Sequence, residues 1–167
     1  MEESITLTET KKRPNFLTVL CIITFIYSGG FGLLFGLYSH FTFQQNYEKA
    51  VPMIEEGIAT MEAAGASGYF YENAVFGLEK MEIMKENLNA ITGANSVFAI
   101  LCILGALLMF MMKKNGFFLY TFASLFWLLV PIYFFDFGTP NLINVGFQAF
   151  FALLFIILYA TNLKHMK

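Results

Sequence analysis

The sequence predicts an all-α integral membrane protein with four transmembrane helices and an extramembrane helical hairpin between helices 1 and 2. Of the 167 residues, 57% are hydrophobic and only 13% are charged, whereas about 25% of the residues in a soluble domain are charged. The charges also leave four long gaps, and about 20 apolar residues in a helix cross a hydrocarbon core of about 30 Å. The predicted spans are residues 16–38, 91–112, 117–135 and 142–162.

The distribution of lysine and arginine predicts the orientation of these spans, because cationic segments tend to stay on the cytoplasmic side. Three of these residues fall in the external segment at 44–90, and seven fall on the other side of the spans. Both termini are therefore predicted to be cytoplasmic, with a tail at 1–15, a single transmembrane domain at 16–163 that includes the external segment, and a cytoplasmic end at 164–167. The seven residues are Lys11, Lys12, Arg13, Lys113, Lys114, Lys164 and Lys167.

The first span contains Gly30, Gly32 and Gly36 in the order G-x-G-x-x-x-G, a variant of the dinucleotide-binding fingerprint. A dinucleotide loop needs a preceding strand and a helix whose N-terminal amides are free to bind phosphate. Backbone amides inside a bilayer must instead be satisfied within their own helix. Because the glycines lie in an unbroken apolar run, we predict that no nucleotide binds.

Ser28, Gly32 and Gly36 are spaced four residues apart, which places them on one face of a helix. Small residues at this spacing let the backbone of another helix approach closely. We therefore predict that this face is a helix-packing groove, with Cys102 and Ala106 of the second span as its partner in the same chain. A homodimer contact through the same face is the alternative.

The external segment carries two amphipathic patterns, separated by a break at 64–68 that contains two glycines and a serine. The first pattern predicts a helix from near Pro52, and the two patterns together predict an αα-hairpin whose apolar faces meet. The polar faces are acidic, whereas helices that lie on a membrane surface are usually basic. We therefore expect the hairpin to stand out from the bilayer.

An aromatic triplet of Tyr69, Phe70 and Tyr71 follows the break between these two helices. Burial against the hairpin is the favoured interpretation of these side chains. The alternative is a contact site for a protein partner, since exposed apolar patches tend to mark interaction surfaces.

Three local signals predict where the other spans bend or end. Gly116, in the turn after the second span, is expected to stop that helix. Pro131 lies inside the third span and predicts a kink. Thr139 followed by Pro140 predicts the start of the fourth span, with the threonine as its N-cap.

Polar side chains come from the outer ends of all four predicted spans. Hydrogen bonds between the helices, each contributing about 0.6 kcal/mol, are the favoured interpretation. A ligand site or pathway is the alternative, since polar groups within spans are often functional. The five members of this polar outer-leaflet cluster are His40, Asn95, Asp136, Asn144 and Gln148.

The sequence offers few residues for catalysis. Cys21 and Cys102 lie within predicted spans, and neither a Ser-His-acid pattern nor a zinc-ligand spacing occurs. We therefore predict no enzyme activity, no cofactor, no metal site and no nucleic-acid partner. Methionine thioethers can bind Cu(I), but methionine also fills apolar contacts flexibly. The second interpretation is favoured for Met53, Met61, Met81 and Met84.

Both ends of the chain carry membrane-anchor motifs, KKRPNFLTVLCIITFI at 11–26 and FIILYATNLKHMK at 155–167. Together with the acidic, methionine-containing external segment, they resemble a group of small four-span bacterial inner-membrane proteins with no assigned function. This resemblance covers most of the chain and implies a bacterial inner membrane. It implies no catalytic or binding residue.

These observations predict a non-enzymatic structural or accessory membrane protein, a small subunit or modulator of a larger envelope complex. Besides lipid, its expected partner is another protein or a second copy of the chain, contacted through the external hairpin and the glycine face. The alternative is a transport component for a small solute or a metal, which would use the polar outer-leaflet cluster or the methionines.

Overall fold

A computed structural model describes residues 13–135 and 137–167, and all regular elements in these two ranges are helical. The elements in chain order are α1 (Asn15–Thr24), a π-helical segment (Phe25–Phe35), α2 (Gly36–Ala63), α3 (Tyr69–Phe110), α4 (Asn115–Trp127), α5 (Leu129–Phe134), α6 (Thr139–Ala160) and a short 3-10 helix (Leu163–His165). Most of the predicted cytoplasmic tail, residues 1–12, lies outside the described residues, as does Asp136.

Within the described ranges, four helices are long enough and apolar enough to cross a membrane, which confirms the all-α class and indicates a multi-pass membrane protein. The first runs without interruption through α1, the π-helical segment and α2, and has 49 residues. The second is α3, which has 42 residues. The third combines α4 and α5, and the fourth extends from α6 to His165.

The sequence predicted that a helix begins near Pro52, and this prediction is wrong. Pro52 lies inside α2, which continues from the first apolar stretch as far as Ala63. The proline is exposed, so solvent can replace the backbone hydrogen bond that its ring nitrogen cannot donate. Continuity of the apolar helix therefore overrides the local start signal.

The predicted break at 64–68 is present, and its first half is a Schellman motif at the end of α2. Gly65 has φ of 68°, its amide donates to the Glu62 carbonyl at 2.9 Å, and the Ala66 amide donates to the Met61 carbonyl at 2.8 Å. Only glycine adopts this left-handed conformation without strain. The chain then reverses into α3, which packs against α2.

A bend at Asn87 divides α3, where φ is −113° and ψ is 20°. The Asn87 side chain donates to the Ile83 carbonyl at 3.1 Å, which supplies a hydrogen bond close to the bend. The first half of α3 reaches the turn between α5 and α6, where Phe76 and Phe135 pack edge to face with ring centroids 6.4 Å apart. This half of α3 therefore leans over the ends of α5 and α6 and does not continue straight from the second span, which differs from the expected outward projection.

The turn between α3 and α4 is a second Schellman motif, but its left-handed residue is Met112, with φ of 63°. The Met112 amide donates to Met109, and the Lys113 amide donates to Leu108, both at 2.9 Å. The prediction that Gly116 stops the second span is therefore wrong. Gly116 lies inside the first turn of α4 and is buried.

Gly116 and Gly105 form a close backbone contact between α3 and α4. A Cβ atom added to Gly116 would lie 2.5 Å from the Gly105 carbonyl oxygen and 2.6 Å from the Met109 nitrogen. A Cβ atom added to Gly105 would lie 2.8 Å from the Tyr120 nitrogen. The two helix backbones therefore touch at these glycines.

The main core surrounds this contact and connects α1, α3, α4 and α6. Leu17, Cys21, Met109 and Tyr159 are fully buried there. The Thr24 hydroxyl of α1 and the Tyr159 hydroxyl of α6 share a hydrogen bond of 2.8 Å. This bond satisfies both buried groups and ties the first helix to the last.

Basic residues gather at the same end of the bundle. The Arg13 guanidinium donates to the Phe110 carbonyl at 3.0 Å and lies 3.5 Å from the centroid of the Phe110 ring. It thus neutralises the C-terminal end of α3. The Lys114 amide donates to the Lys167 carbonyl at 2.9 Å. We call this end, with Arg13, Lys113, Lys114 and Lys167, the basic end.

Proline shapes the other two helices much as predicted. The third helix is interrupted at Leu128, next to Trp127, whose carbonyl would have accepted the hydrogen bond that Pro131 cannot donate. The fourth helix begins one residue earlier than predicted, because its N-cap is Gly138 rather than Thr139, and no side chain caps it.

The fourth helix is the least buried of the four. Only 6% of its most apolar stretch is buried, against 22–28% for the other three helices, so α6 lies at the periphery.

Candidate functional site

A cavity of about 200 Å³ lies between the first helix, α3 and α4, far from the basic end. Its walls come from the π-helical segment, the start of α2, the middle of α3 and the end of α4. The lining residues are Phe31, Gly32, Gly36, Ser39, His40, Phe43, Met84, Leu88, Ile91, Thr92, Asn95, Ser96 and Trp127. Helical spacing explains this set, because residues three, four, seven and eight apart share one face.

Glycine opens the cavity. At Gly32 the two helices are close, since an added Cβ atom would lie 3.3 Å from the Ala99 Cβ. One turn further along, an added Cβ atom at Gly36 would meet nothing within 4 Å. Phe31 and Gly32 also belong to the π-helical segment, and π-helical turns are rare and frequently found at functional sites.

Polar groups form a band across the cavity wall. The Trp127 indole N–H donates to Asn95 Oδ1 at 2.7 Å. His40 Nδ1 and Thr92 Oγ1 lie 3.3 Å apart and share a hydrogen bond. We call these four residues, together with Ser39 and Ser96, the polar band.

The rest of the wall is apolar, and most of it comes from aromatic and branched side chains. Phe43 and Ile91 are buried, whereas Phe31 is 66% exposed. Among the described residues that line the cavity there is no Asp, Glu, Lys or Arg. The site is therefore an apolar cleft with a polar band of hydroxyl, amide, indole and imidazole groups.

The predicted polar outer-leaflet cluster is divided between different places. His40 and Asn95 both line the cavity. Asn144 and Gln148 lie on α6, which contributes nothing to the cavity wall, and Asn144 is exposed. Asp136 lies outside the described residues. The expectation that all five form one set is therefore not supported.

Sequence reasoning missed four members of the polar band, namely Ser39, Thr92, Ser96 and Trp127. Two signals were available. Thr92, Asn95 and Ser96 share a helical face with Ala99, and the chain has a single tryptophan, whose indole N–H needs a hydrogen-bond acceptor when buried.

The three residues of the predicted packing groove have different surroundings. Ser28 is buried and Gly32 contacts Ala99, as expected for close packing with the second span. Within this chain, a Cβ atom added to Gly36 would meet nothing within 4 Å, so the internal packing contact does not extend to this residue. The contact on α3 also lies at Ala99, further from the basic end than the predicted Cys102 and Ala106.

Both cysteines are free and buried, but they belong to the main core. Cys21 Sγ donates to the Ala106 carbonyl at 3.5 Å, and Cys102 Sγ lies 3.8 Å from Ser124 Oγ in a second hydrogen bond. The cysteines thus act as small packing residues with weak polar contacts.

The favoured interpretation, that the aromatic triplet is buried against the hairpin, is wrong for two of its three residues. Phe70 is 82% exposed and Tyr69 is 45% exposed. Tyr71 is half-buried and donates to Glu62 Oε1 at 2.8 Å, across the break between α2 and α3. This hydrogen bond to a carboxylate raises the pKa of the Tyr71 hydroxyl, because it stabilises the protonated form.

The four methionines considered as copper ligands have different surroundings. Met84 lines the cavity, whereas Met53 is 73% exposed on α2. Within 13–135 and 137–167, no group of three or more His, Cys, Asp or Glu side chains is close enough to hold a metal ion. The described residues thus offer no assembled metal centre of the usual ligands.

Comparison with protein-family models, curated proteins and solved structures finds no match to this chain. The family resemblance noted from the sequence therefore stays a prediction, and function must be inferred from the geometry.

Proposed function

We propose that this protein is a non-enzymatic accessory subunit or modulator of a protein complex in the bacterial inner membrane, with both termini in the cytoplasm. In this proposal the main core and the cavity lie within the bilayer, and the basic end faces the cytoplasm. The paired helices α2 and α3 continue outside the membrane as an acidic hairpin. The tip of that hairpin, residues 64–71, contacts the partner.

The observation that carries the proposal is an exposed aromatic pair at the end of an unusually long helical pair. Residues 69–90 of α3 form about 33 Å of helix before the predicted second span, and Phe76 in this stretch packs on Phe135 beside the α5–α6 turn. At its end, Phe70 is 82% exposed and Tyr69 is 45% exposed. Exposed aromatic side chains of this kind are enriched where proteins bind one another.

The tip is also held in a defined conformation, which reduces the conformational entropy that the chain would lose when a partner binds. Gly65 and Gly68 adopt positive φ angles and close the turn, and the Tyr71–Glu62 hydrogen bond joins its two sides. A preorganised contact loses less conformational entropy on binding than a mobile one.

The charge around the tip favours a particular partner chemistry. Glutamates predominate on both helices of the pair near the tip, so a second copy of the tip or an anionic lipid surface would be repelled. The complementary surface is an apolar pocket with a basic rim, on another membrane protein. These glutamates are Glu55, Glu56, Glu62, Glu72 and Glu79.

Site-specific photo-crosslinking in native membranes tests the proposal. A photoreactive phenylalanine at position 70 is expected to give one discrete protein adduct, identifiable by mass spectrometry. Met53 is the matched control, because it is 73% exposed on the same helical pair but lies away from the tip. No adduct at 70, a lipid adduct alone, a dimer of this chain, or the same adduct from both positions would contradict the proposal.

The transport alternative has less support from the packing. The cavity narrows where Gly32 meets Ala99, and fully buried side chains such as Leu17 and Met109 fill the bundle near the basic end. A component that moves a solute needs a path past both. Uptake by vesicles that contain the purified protein is therefore expected to equal uptake by empty vesicles.

A further inference from the structure

We propose that the cavity between the first helix, α3 and α4 is a binding site for a neutral amphiphile of the bilayer. The ligand would place a hydroxyl or carbonyl head at the polar band and an apolar chain along the wall at Phe31 and Gly32. This site is separate from the hairpin tip and does not depend on the partner proposed above.

The size of the cavity favours a ligand that is only partly enclosed. Sites that take up whole small molecules usually have volumes of about 300–1,000 Å³, whereas this cavity holds about 200 Å³. An engineered apolar cavity of roughly 150 Å³ binds benzene. The space thus suits one ring or one short stretch of chain, and the rest of the molecule would lie in the surrounding lipid.

The lining chemistry favours an apolar body with an uncharged head. Apolar cavities tend to stay dry or to bind apolar molecules rather than water, and most of this wall is hydrocarbon. The polar band offers hydroxyl, amide and imidazole groups. A carboxylate or phosphate would lose its hydration without gaining a Lys or Arg partner, since neither residue type lines this cavity in the described chain.

The depth of the polar band matches the position of such a head. Asn95 lies 15 residues before Phe110 on α3, which corresponds to about 22 Å along the helix. Thr92 lies about 27 Å from the same point, close to the far edge of a hydrocarbon core of about 30 Å. The polar band thus spans the border between acyl chains and lipid head groups.

The cavity is not sealed by protein on every side. Phe31, one of its lining residues, is 66% exposed. In the proposed site the ligand reaches the cavity beside Phe31, from the bilayer, without passing through the packed core.

Trp127 makes the site measurable, because it is the only tryptophan in the chain and lines the cavity. The experiment reconstitutes the full chain in lipid nanodiscs and adds a neutral monoacylglycerol with bromine on its acyl chain, which quenches nearby indole fluorescence. Quenching is expected to saturate as the mole fraction of the probe rises. A brominated fatty acid, ionised at the same pH, is expected to bind at least fivefold more weakly.

Gly36→Leu and Gly93→Leu are the matched variants. Both glycines are helical and have open space at the Cβ position, but only Gly36 lines the cavity. Gly36→Leu is expected to weaken binding at least fivefold, and Gly93→Leu is expected to leave it unchanged. Thr92→Val, which has nearly the same shape, is expected to weaken binding a few-fold by removing one hydroxyl.

Three results would overturn the inference. The first is quenching that rises linearly with the probe and is equal in all variants, which would mean simple partition into the bilayer. The second is equal binding of the neutral and ionised probes. The third is unchanged binding in both Gly36→Leu and Thr92→Val, with thermal melting of each variant showing a folded protein.

Discussion

The helix α3 meets a glycine-containing neighbour at two places, and the two contacts have opposite physical characters. Near the basic end, Gly105 and Gly116 bring two backbones together so closely that an added Cβ atom at Gly116 would lie 2.5 Å from a carbonyl oxygen. Near the cavity, Gly36 faces open space. Glycine thus lets two helices touch at the first contact and leaves an open space between two helices at the second.

This difference teaches that glycine spacing alone does not identify a packing contact. Ser28, Gly32 and Gly36 have the four-residue spacing expected of a groove, yet one of them lines a cavity. Gly105 and Gly116 belong to no such pattern, and they mediate a contact between two helix backbones. The axial shift and rotation between two helices decide which glycine meets a backbone.

The largest effect is expected for Gly116→Ala. The added methyl group would overlap the Gly105 carbonyl oxygen and the Met109 nitrogen, and backbone atoms cannot move aside as a side chain can. Overpacking of this kind costs about 3 kcal/mol in the free energy of unfolding. Equilibrium unfolding in mixed detergent micelles measures it.

Gly146→Ala is the control for that substitution, because Gly146 lies in α6 with nothing within 4 Å of an added Cβ atom. Alanine favours the helix over glycine by up to about 1 kcal/mol in water, so this variant should be unchanged or slightly more stable. Equal destabilisation by Gly116→Ala and Gly146→Ala would show that the close contact at the basic end does not exist.

An intermediate effect is expected for Tyr159→Phe, which keeps the buried ring but removes the hydroxyl that bonds to Thr24 at 2.8 Å. The cost should be about 1 kcal/mol, the net contribution of one hydrogen bond in a buried site. The same unfolding measurement applies. Tyr133→Phe is the control, since that ring is 82% exposed; a loss of stability as large as that of Tyr159→Phe would argue against the specific role of the buried pair.

The smallest effect on stability is expected for Gly36→Ala. The new methyl group meets no atom within 4 Å, so it should leave the free energy of unfolding unchanged or raise it by up to about 1 kcal/mol through helix propensity. The measurement compares the free energy of unfolding of the Gly36→Ala and Gly116→Ala variants under identical conditions. A loss of about 3 kcal/mol at Gly36 would mean that the cavity is filled by protein and that the two contacts are alike.

The architecture was largely predictable because its causes are local. In the described residues, the four charge-poor stretches lie in four helices of suitable length and apolarity. The two glycines at 64–68 have positive φ and lie at the break between α2 and α3. Pro131 interrupted its helix as expected. The errors arose where tertiary packing or helix continuity outweighed a local signal. Pro52 lies inside a continuous helix instead of starting one. Gly116 lies in a contact between two helices instead of ending a helix.

The candidate site was only partly predictable. His40 and Asn95 could be selected as polar groups in apolar surroundings, but their grouping with Asn144 and Gln148 assumed that all four helices converge at the same place. The peripheral position of α6 defeats that assumption. Trp127 enters the site because the third helix places it opposite Asn95, and no feature of its own sequence neighbourhood specifies that pairing.

Sequence by itself thus determines which segments of this protein are helical, how apolar they are and where most of them end. Hydropathy and turn chemistry act over about 20 residues or fewer, within the reach of a single span. Only the tertiary structure decides that one glycine pair closes the bundle, that another glycine opens a cavity, and that six polar side chains meet there. These outcomes depend on how helices distant in sequence shift and rotate against one another, and a displacement of one turn exchanges a contact for a gap.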